Sequence, residues 1–449
     1  MNACTATESL PGARGMIFIH STPAALCPHL EWAAASVLGA ASTLSACSGQ
    51  EKSGEELSKD TKAELTLFYW DKNQAPTVEA NIQAFTKEYP NITITPSVAA
   101  YKDYWTKLRT QAEGDQLPDV FWMNGPNIQL YASNGMLAEI DDLKDVAWDK
   151  YPKALVDLYT VEGKKYGVPK DYDTIACFIN KEIFTKAGVQ VPTGEWTWEE
   201  HHAAAKAIAD AQAGFGVVVG LDDAQSSYYN TIHQAGGYVI KDGKSGFDDP
   251  KSIEGVQYWV DLVKDGSMPD MQVLADTPAK QQFLNGQAGI FWSGSWMVKE
   301  LRRQFTGDEV VVVPLPKKEI QATIIHGLAY VASAKSKNLA AAKAVVRAFS
   351  SQAAAETEAA NGTAIPAFSG TQAKWLEQAP SWNIDVFTKA AETYAVPYPV
   401  SKNTSAWADK ETSLSEVFTG KVTAEEGCKK LAAEMNTAWP RLSSTLSPP

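Results

Sequence analysis

AELTLFYW at residues 63–70, ITIT at 92–95 and LPDVFW at 117–122 are the stretches that decide the fold. Each is short and rich in β-branched or aromatic residues, which predicts a strand buried in a sheet. The segments between them repeat their apolar residues at helical spacing, and the first of these opens at Pro76, a residue that favours a helix start. Strands that alternate with helices predict a parallel α/β sheet with right-handed crossovers.

Downstream, the pattern continues with further strands and helices. Thr197 and Glu200 match a capping box, which predicts a helix start because their side chains satisfy free backbone N–H groups. The chain after residue 338 is predicted to be mostly helical. Further strands are predicted at 174–179, 288–292, 310–313 and 324–332, and further helices at about 226–235, 252–264 and 278–285.

The composition is that of a large acidic globular protein. Its 449 residues are enough for two or three lobes, and its hydrophobic fraction of 45% suits a well-filled core. The formal net charge is −13 and no basic cluster is present, so nucleic acid is a poor partner. Cys177 and Cys428 read as small buried residues. No CxxC and no paired Cys/His spacing suggests zinc, so we expect no metal and no cofactor.

The N-terminal region resembles the signal peptide of bacterial lipoproteins. LSAC at 44–47 closes a small, apolar run that starts at Trp32, and a polar stretch follows it. The resemblance implies cleavage before Cys47, a lipid on its thiol, and an extracytoplasmic protein anchored to the cell membrane. Residues 1–46 would be the signal peptide and 47–63 a flexible tether.

The n-region of this signal is atypical. Glu31 directly precedes the apolar run, and Arg14 is the only Lys or Arg upstream of it, whereas a secretory signal carries basic residues there. The alternative interpretation is a short buried helix. Downstream of Cys47 no apolar stretch reaches the length of about 18 residues expected of a membrane span.

Five stretches of the chain share their order and spacing with a known family. They are LPDVFWMNG (117–125), KYGVPKDYDTIACFINKEIFTKAGV (165–189), WTWEE (196–200), NGQAGIFWSGSWM (285–297) and IIHGLAYVAS (324–333). Together they resemble the sugar-binding, maltodextrin-type branch of the extracellular solute-binding proteins that feed ABC importers. The resemblance implies a monomer that captures a neutral sugar and delivers it to membrane permease subunits. An oligosaccharide is the favoured ligand.

The resemblance also implies a periplasmic-binding-protein-like fold. Two discontinuous α/β lobes would be joined by crossing hinge strands, with a ligand cleft between them that closes by hinge motion. The implied first lobe combines 64–172 with 288–330, and the second combines 173–287 with 331–445. The crossings would lie near 171–180, 286–294 and 324–333.

A pyranose ring has an apolar face and a rim of hydroxyls, so its site needs flat aromatic side chains beside polar partners. In open α/β sheets, ligands bind outside the carboxyl ends of strands. We predict that the sugar is bound by residues at predicted strand ends and crossings. They are Trp70, Asp71, Trp122, Asn124, Asn127, Asp171, Asp173, Trp292, His326 and Gly327. Two further candidates in the Pro-rich stretch 380–403, as platforms of the second lobe, are Trp382 and Tyr398.

Trp296 is the strongest candidate for stacking on a sugar. The resemblance implies this role, because the Trp at this place of the Gly294-Ser295-Trp296 motif commonly stacks on sugar in the family. For each of the candidate tryptophans, the alternative is a packing role in the core, which is the commoner fate of this residue type.

Two other classes of function stay open. An exported glycoside hydrolase would need two carboxylates across the scissile bond. Asp71, Asp171 and Asp173 could serve, but nothing singles out a pair, and the pattern breaks into two lobes, unlike an eight-fold β/α barrel. The second class is a binding protein for another solute, such as a polyol, glycerol phosphate or a peptide. Glycerol phosphate would require clustered Arg or Lys, whereas the candidate positions are acidic, neutral or aromatic.

Residues 237–245 (GYVIKDGKS) are close to a phosphate-binding loop without matching it. The motif needs four residues between its glycines, and here five separate Gly237 from Gly243. We predict a surface hairpin at this place.

Overall fold

Strands and helices alternate from Ala63 onward in the computed structural model, which describes residues 57–401, 407 and 410–438. The predicted signal peptide and Cys47 lie outside these residues. The strands are β1 Ala63–Tyr69, β2 Ile92–Val98, β3 Val120–Met123, β4 Thr160–Val161, β5 Lys164–Lys165, β6 Gly167–Pro169, β7 Asp171–Tyr172, β8 Ile175–Asn180, β9 Phe215–Val218, β10 Ile240–Lys241, β11 Lys244–Ser245, β12 Ala288–Gly294, β13 Val310–Val313, β14 Thr323–Ile325, β15 Ala329–Ala332, β16 Ile365–Pro366 and β17 Ala395–Pro397.

The α-helices are α1 Ala75–Glu88, α2 Tyr101–Glu113, α3 Gly125–Ser133, α4 Lys153–Leu158, α5 Lys181–Ala187, α6 Trp198–Asp210, α7 Tyr228–Gln234, α8 Pro250–Lys264, α9 Met271–Asp276, α10 Ala279–Leu284, α11 Val298–Gln304, α12 Leu339–Phe349, α13 Gln352–Asn361, α14 Ala373–Leu376, α15 Asp385–Thr393, α16 Ser415–Phe418 and α17 Ala424–Ala438. Short 3₁₀ helices lie at Lys72–Gln74, Trp148–Lys150, Ser295–Met297 and Thr412–Leu414.

The first sheet has five strands in the order β2-β1-β3-β15-β6. β1 pairs in parallel with β2 and with β3, so the parallel sheet predicted from the N-terminal alternation is confirmed. β15 comes from far along the chain and pairs antiparallel with both β3 and β6. The first sheet is therefore mixed, and three segments that are distant in sequence build it.

The second sheet has four strands in the order β13-β8-β12-β9. β8 pairs antiparallel with β12 and β13, and β12 pairs in parallel with β9. Helices α6 and α10 pack against β9 and β12. We call the elements on the first sheet the first lobe, and those on the second sheet the second lobe.

The predicted lobe boundaries are wrong in two places. Residues 288–313, assigned to the first lobe, contain β12 and β13, which are strands of the second sheet. Helices α12 and α13, within the 331–445 assigned to the second lobe, pack on β15 and α1 of the first lobe. Hydrophobic periodicity identifies an element as a helix or a strand, but it carries no information on the sheet that the element joins.

The chain passes between the lobes near residues 169–175 and 325–329, and again between α13 and α15. The predicted crossing at 286–294 is absent, because β12 lies wholly in the second sheet. The strand predicted over 324–332 is two strands, β14 and β15, with a break at residues 326–328. The chain crosses between the lobes at this break. The backbone N–H and C=O groups there have no strand partner, so they can hydrogen-bond to the neighbouring crossing segment.

Local predictions hold where the signal is local. Thr197 and Glu200 form both hydrogen bonds of the capping box at the start of α6. β10 and β11 form the hairpin expected at 237–245. Cys177 and Cys428 are buried free thiols, as their neighbours predicted. Among the residues that the structure describes, none of the helices has the combination of length and apolarity that crossing a membrane requires.

Candidate functional site

Side chains that follow β1 and β3 lie together at the carboxyl edge of the first sheet. Trp70 is half-buried, with its ring 5.6 Å from the ring of Tyr101 at the start of α2. The Asn124 amide donates to the Tyr101 hydroxyl at 3.1 Å, and the Asn127 amide donates to Asn124 Oδ1 at 2.9 Å. Tyr101 leaves 50% of its surface exposed. The structure therefore brings three predicted residues together and adds a tyrosine face to them.

Asp71 stands next to this cluster with one oxygen already engaged. Its Oδ1 accepts from the backbone N–H of Asn73 at 2.9 Å and caps the 3₁₀ helix at Lys72–Gln74. The carboxylate is half-buried, so it retains acceptor capacity on the open side.

His326 connects the break after β14 to the first lobe. The backbone N–H of Gly125, at the start of α3, donates to His326 Nε2 at 3.0 Å. Burial lowers the pKa of His326 to about 3, so the ring is neutral and its proton is on Nδ1. The backbone groups of His326 and Asp173 also exchange hydrogen bonds of 2.8 and 3.2 Å. His326 thus ties two crossings and the first lobe together.

Gly327 has a steric reason to be glycine. A Cβ at this position would lie 2.2 Å from the carbonyl oxygen of Asp171. The Tyr159 hydroxyl donates to the Gly327 carbonyl at 2.5 Å. Gly327 lies in the crossing, as predicted. Because it has no side chain, it allows two backbone segments to approach closely there.

Asp171 belongs to a buried ionic cluster inside the hinge. Its Oδ2 accepts from Lys170 Nζ at 2.5 Å, and its Oδ1 accepts from the N–H of Leu328 at 2.9 Å. Lys170 Nζ also donates to Glu358 Oε1 at 2.7 Å and to Gln74 Oε1 at 2.8 Å. Both Asp171 oxygens are occupied, so this carboxylate holds the crossing instead of facing an open space.

Asp173 and Asp223 form an acidic wall on the second lobe. Asp173 Oδ1 accepts from the Gln225 amide at 2.5 Å, and Asp223 Oδ2 accepts from the Ser226 hydroxyl at 2.5 Å. Desolvation raises the pKa of Asp173 well above its ordinary value, and the charges of Asp171 and Asp223 raise it further. Asp223 is exposed. Both carboxylates therefore have lone pairs left for donors from outside the protein.

Tyr398, the first residue after β17, lies against His326. Their ring centroids are 4.7 Å apart, with an interplanar angle of 39°. On its other side, Tyr398 meets the edge of Tyr229 at 5.7 Å. The Tyr229 hydroxyl donates to Glu411 Oε1 at 2.6 Å. A wall of rings thus continues from the hinge into the second lobe.

The two lobes share one polar region. Desolvation raises the pKa of the Tyr398 hydroxyl most, and Glu411, Tyr101 and Asp223 act on it in the same direction. A residue of the first lobe and residues of the second therefore lie within electrostatic reach of each other. We call this set the interlobe group; its members are Trp70, Tyr101, Asn124, Asn127, Asp173, Asp223, Gln225, His326 and Tyr398.

Trp296 lies in the 3₁₀ turn at Ser295–Met297 and is half-buried. Its indole folds back over Gly294, where a Cβ would lie only 1.8 Å from the ring. Glycine is required there, because any other residue would displace the indole. Part of the residue remains exposed, and its role in stacking on a sugar stays a prediction.

Three predicted tryptophans are core residues, and their assignment to the site is corrected. Trp122, Trp292 and Trp382 are fully buried. The Trp292 Nε1 donates to His201 Nε2 at 3.0 Å, and the Trp382 Nε1 donates to the Gly307 carbonyl at 2.9 Å. None has a ring face open to a ligand, because each lies within a packed layer and not at its edge.

The chemistry available to the interlobe group is hydrogen bonding and ring stacking. Carboxylates accept, amides and phenols donate and accept, and Trp70 and Tyr101 offer partly open rings. A hydrolytic carboxylate pair is not favoured, because Asp71 caps a helix and Asp171 is bound to Lys170. Within residues 57–401, 407 and 410–438, no three side chains of His, Cys, Asp or Glu are grouped in a way that could hold a metal ion.

Sequence reasoning missed five members of this region. They are Tyr101, Asp223, Gln225, Tyr229 and Glu411. Tyr101 starts a helix that follows a strand end, and the same strand-end rule that selected Asn124 could have found it. Asp223 and Gln225 follow β9 by a few residues, which is a similar signal. Glu411 has no local signal, because it arrives from a segment more than 180 residues after its tyrosine partners.

Comparison with known families matches most of the described chain. The model for the family described as bacterial extracellular solute-binding protein matches residues 71–356. A second model, for a protein family of unknown function, matches residues 16–65, most of which lie outside the described residues.

Relatives and solved structures agree with this match. A galactooligosaccharide-binding protein of Bacillus subtilis (strain 168) is 25% identical over 409 residues, which cover 87% of this chain and 92% of that protein. An ABC substrate-binding protein of Listeria monocytogenes in complex with cycloalternan superposes with a TM-score of 0.78 at 24% identity, over 84% of this chain and 99% of that one. The GacH receptor of Streptomyces glaucescens, studied unliganded and with acarbose, gives 0.76 at 21% identity, over 85% and 100%.

Proposed function

Because the chain belongs to the bacterial extracellular solute-binding protein family, we propose that it is the carbohydrate-capturing component of an ABC importer. It binds a neutral oligosaccharide without changing it and delivers the sugar to membrane permease subunits. A relative whose match covers 87% of the chain is named for binding galactooligosaccharides, and this name supports a sugar as the solute.

The interlobe group carries the proposal. A sugar ring needs an apolar surface under its C–H face and hydrogen-bond partners around its rim. Trp70 and Tyr101 offer the surface on the first lobe, while Asp173 and Asp223 offer acceptors on the second. A ligand held by both sets would bind the closed form better, and this difference in affinity drives hinge closure.

Charge favours a neutral ligand over a phosphorylated or carboxylated one. The charged side chains that belong to the interlobe group, Asp173 and Asp223, are both carboxylates. Lys170 is buried and its three donors already serve Gln74, Asp171 and Glu358. An anion at the interlobe group would meet the like charges of Asp173 and Asp223, which costs several kcal/mol as an order of magnitude.

A panel of sugars tests the proposal directly. Calorimetric titration with neutral mono- and oligosaccharides, glycerol phosphate, a polyol and a short peptide should give saturable binding for a neutral oligosaccharide. The sugar recovered afterwards should be chemically unchanged, and scattering should show a smaller radius of gyration at saturation. Binding of glycerol phosphate alone, or turnover of any glycan, would contradict the proposal.

Trp296 and Trp292 form a matched pair for locating the site. Trp296→Ala should weaken sugar binding by about 30-fold, or roughly 2 kcal/mol, because it removes an aromatic anchor. It should change the unfolding of the sugar-free protein little. Trp292→Ala should instead cost about 3–5 kcal/mol of folding stability, because the buried indole leaves a cavity. If the two variants exchange these phenotypes, Trp296 is a core residue.

Membrane anchoring through Cys47 is the finer part of the proposal. The LSAC motif supports cleavage before Cys47 and lipid attachment to its thiol, which would tether the protein outside the cytoplasm. Cys47→Ala should release the protein from the membrane fraction of cells. A membrane fraction that is unchanged in Cys47→Ala cells would exclude this anchor.

A further inference from the structure

Glu411 bridges two neighbouring tyrosines of α7. The Tyr228 hydroxyl donates to Oε2 and the Tyr229 hydroxyl donates to Oε1, each at 2.6 Å. Both tyrosines are buried, with 2% of their surface exposed. One carboxylate therefore fixes two phenol groups with one short hydrogen bond each.

The two tyrosine rings meet edge to face at 5.5 Å, and their other ring neighbours differ. Tyr228 packs on Phe247 and Phe418 at 6.1 and 6.0 Å, inside the second lobe. Tyr229 packs instead on Tyr398 at 5.7 Å. The same carboxylate thus holds one ring packed on two phenylalanines of the second lobe and one ring packed directly on Tyr398 of the interlobe group.

Contacts continue from Tyr398 to the first lobe. Tyr398 lies on His326 at 4.7 Å, and His326 accepts from the N–H of Gly125. Gly125 directly follows Asn124, which bonds to Tyr101. Glu411 is therefore at one end of a continuous series of contacts that crosses the cleft region.

We propose that Glu411 is a positioning residue for the ligand, which sets the orientation of the Tyr229–Tyr398–His326 wall through its bond to the Tyr229 hydroxyl. The inference rests on the proposed function, since it assigns the residue that orders one wall of that site. Glu411 need not touch the sugar. Its contribution is to hold Tyr398 in one rotamer before the ligand arrives, which lowers the entropy lost on binding.

The chemistry explains why a carboxylate is used. A carboxylate offers each of the two phenols a separate acceptor oxygen, so both can donate to one side chain at once. Glutamine keeps one acceptor oxygen and turns the other position into a donor, so it can hold one tyrosine well. Alanine leaves both buried hydroxyls without this partner.

Paired tyrosine variants separate positioning from folding. Tyr228→Phe and Tyr229→Phe each remove one hydrogen bond to Glu411, so both should lower the melting temperature by similar amounts. Tyr229→Phe should weaken sugar binding on the order of tenfold, and Glu411→Ala should do so at least as much. Tyr228→Phe should leave affinity within about twofold, and Glu411→Gln should be intermediate. Equal losses of affinity in the two phenylalanine variants would overturn the proposal.

A measurement on the sugar-free protein tests the positioning role of Glu411 separately from the proposed sugar-binding function. Protein labelled with 3-fluorotyrosine gives a ¹⁹F resonance for Tyr398, assigned by its absence in Tyr398→Phe. That resonance should shift or broaden in Tyr229→Phe and Glu411→Gln, and should not change in Tyr228→Phe. If no sugar binds the wild-type protein, the proposed function fails while this result still decides on positioning. An unchanged Tyr398 resonance in Tyr229→Phe and Glu411→Gln would show that Glu411 does not order the wall.

Discussion

Replacing Lys170 by Met should be among the most destabilising single changes in the hinge. Lys170 Nζ donates to Gln74, Asp171 and Glu358 at 2.8, 2.5 and 2.7 Å, which uses all three of its N–H bonds. The side chains of Lys170, Asp171 and Glu358 are only 1%, 5% and 4% exposed. Methionine keeps most of the volume, so the change removes the charge and its hydrogen bonds with little loss of packing.

The magnitude follows from the charges that remain. Removing one partner of a buried ion pair costs about 3–5 kcal/mol, because an uncompensated charge stays inside. Burial raises the pKa of Glu358 to about 7 even with Lys170 beside it, so without the lysine this carboxyl should bind a proton at neutral pH. We expect a loss of about 3–5 kcal/mol at pH 8 and a smaller loss at pH 5, where the orphaned carboxyl is neutral.

Chemical denaturation at pH 5 and pH 8 measures this loss. Lys153→Met is the matched control, because Lys153 pairs with Asp157 at the surface with 86% and 59% exposure and should change stability by less than about 1 kcal/mol. Adding Glu358→Gln to Lys170→Met should recover part of the stability at pH 8. A loss below about 1 kcal/mol, or a loss that does not depend on pH, would refute the reasoning.

Three further predictions concern stability. Thr197→Ala should cost about 1 kcal/mol in urea unfolding, because it removes the hydroxyl that caps α6, and an unchanged midpoint would contradict the capping role. Gly216→Ala should lower the melting temperature strongly, because its Cβ would lie 2.0 Å from the carbonyl oxygen of Ala205; a wild-type melting temperature would show that α6 can move aside. The melting temperature of the sugar-free protein at pH 5 minus that at pH 8 should be less positive in Glu358→Gln than in the wild type, as measured by calorimetry. The reason is that Glu358 has a folded pKa of about 7, above its ordinary value, so its protonated form stabilises the fold and this contribution is lost as the pH rises through 7; an identical pH difference in both proteins would exclude a raised pKa.

Local sequence signals were enough for the elements themselves. The alternation over 63–123 predicted β1, α1, β2, α2 and β3, and the parallel pairing among those strands is confirmed. The capping box at Thr197 and the hairpin at 237–245 were also confirmed. These features depend on residues within one or a few turns of each other, so their causes are visible in a short window of sequence.

Long-range pairing could not be predicted in the same way. One partner of β12 is β8, more than 100 residues earlier. Helix α12 packs on β15 and α1, which belong to the first lobe and not to the second lobe to which α12 was assigned. Glu411 shows the same limit in the site. Nothing near it in sequence indicates two buried tyrosines, and only the folded chain brings their hydroxyls to its oxygens.

One geometric distinction separates the predicted residues that reached the interlobe group from those that did not. Trp122 and Trp292 lie within strands β3 and β12, whose residues are all buried because neighbouring layers cover both faces. A side chain inside such a strand has no open face, whatever its chemistry. Immediately past a strand end the backbone leaves the layer, and the side chain can turn toward the interlobe group. The predicted residues that occupy the first position after a strand in this structure are Trp70, Asn124, Asp173, His326 and Tyr398. Asn127 is the predicted member that lies further on, in the first turn of α3, and it joins the group through its bond to Asn124. The rule that ligands bind beyond the carboxyl ends of strands therefore selects mainly by position, and residue type decides only among side chains that have already passed that boundary.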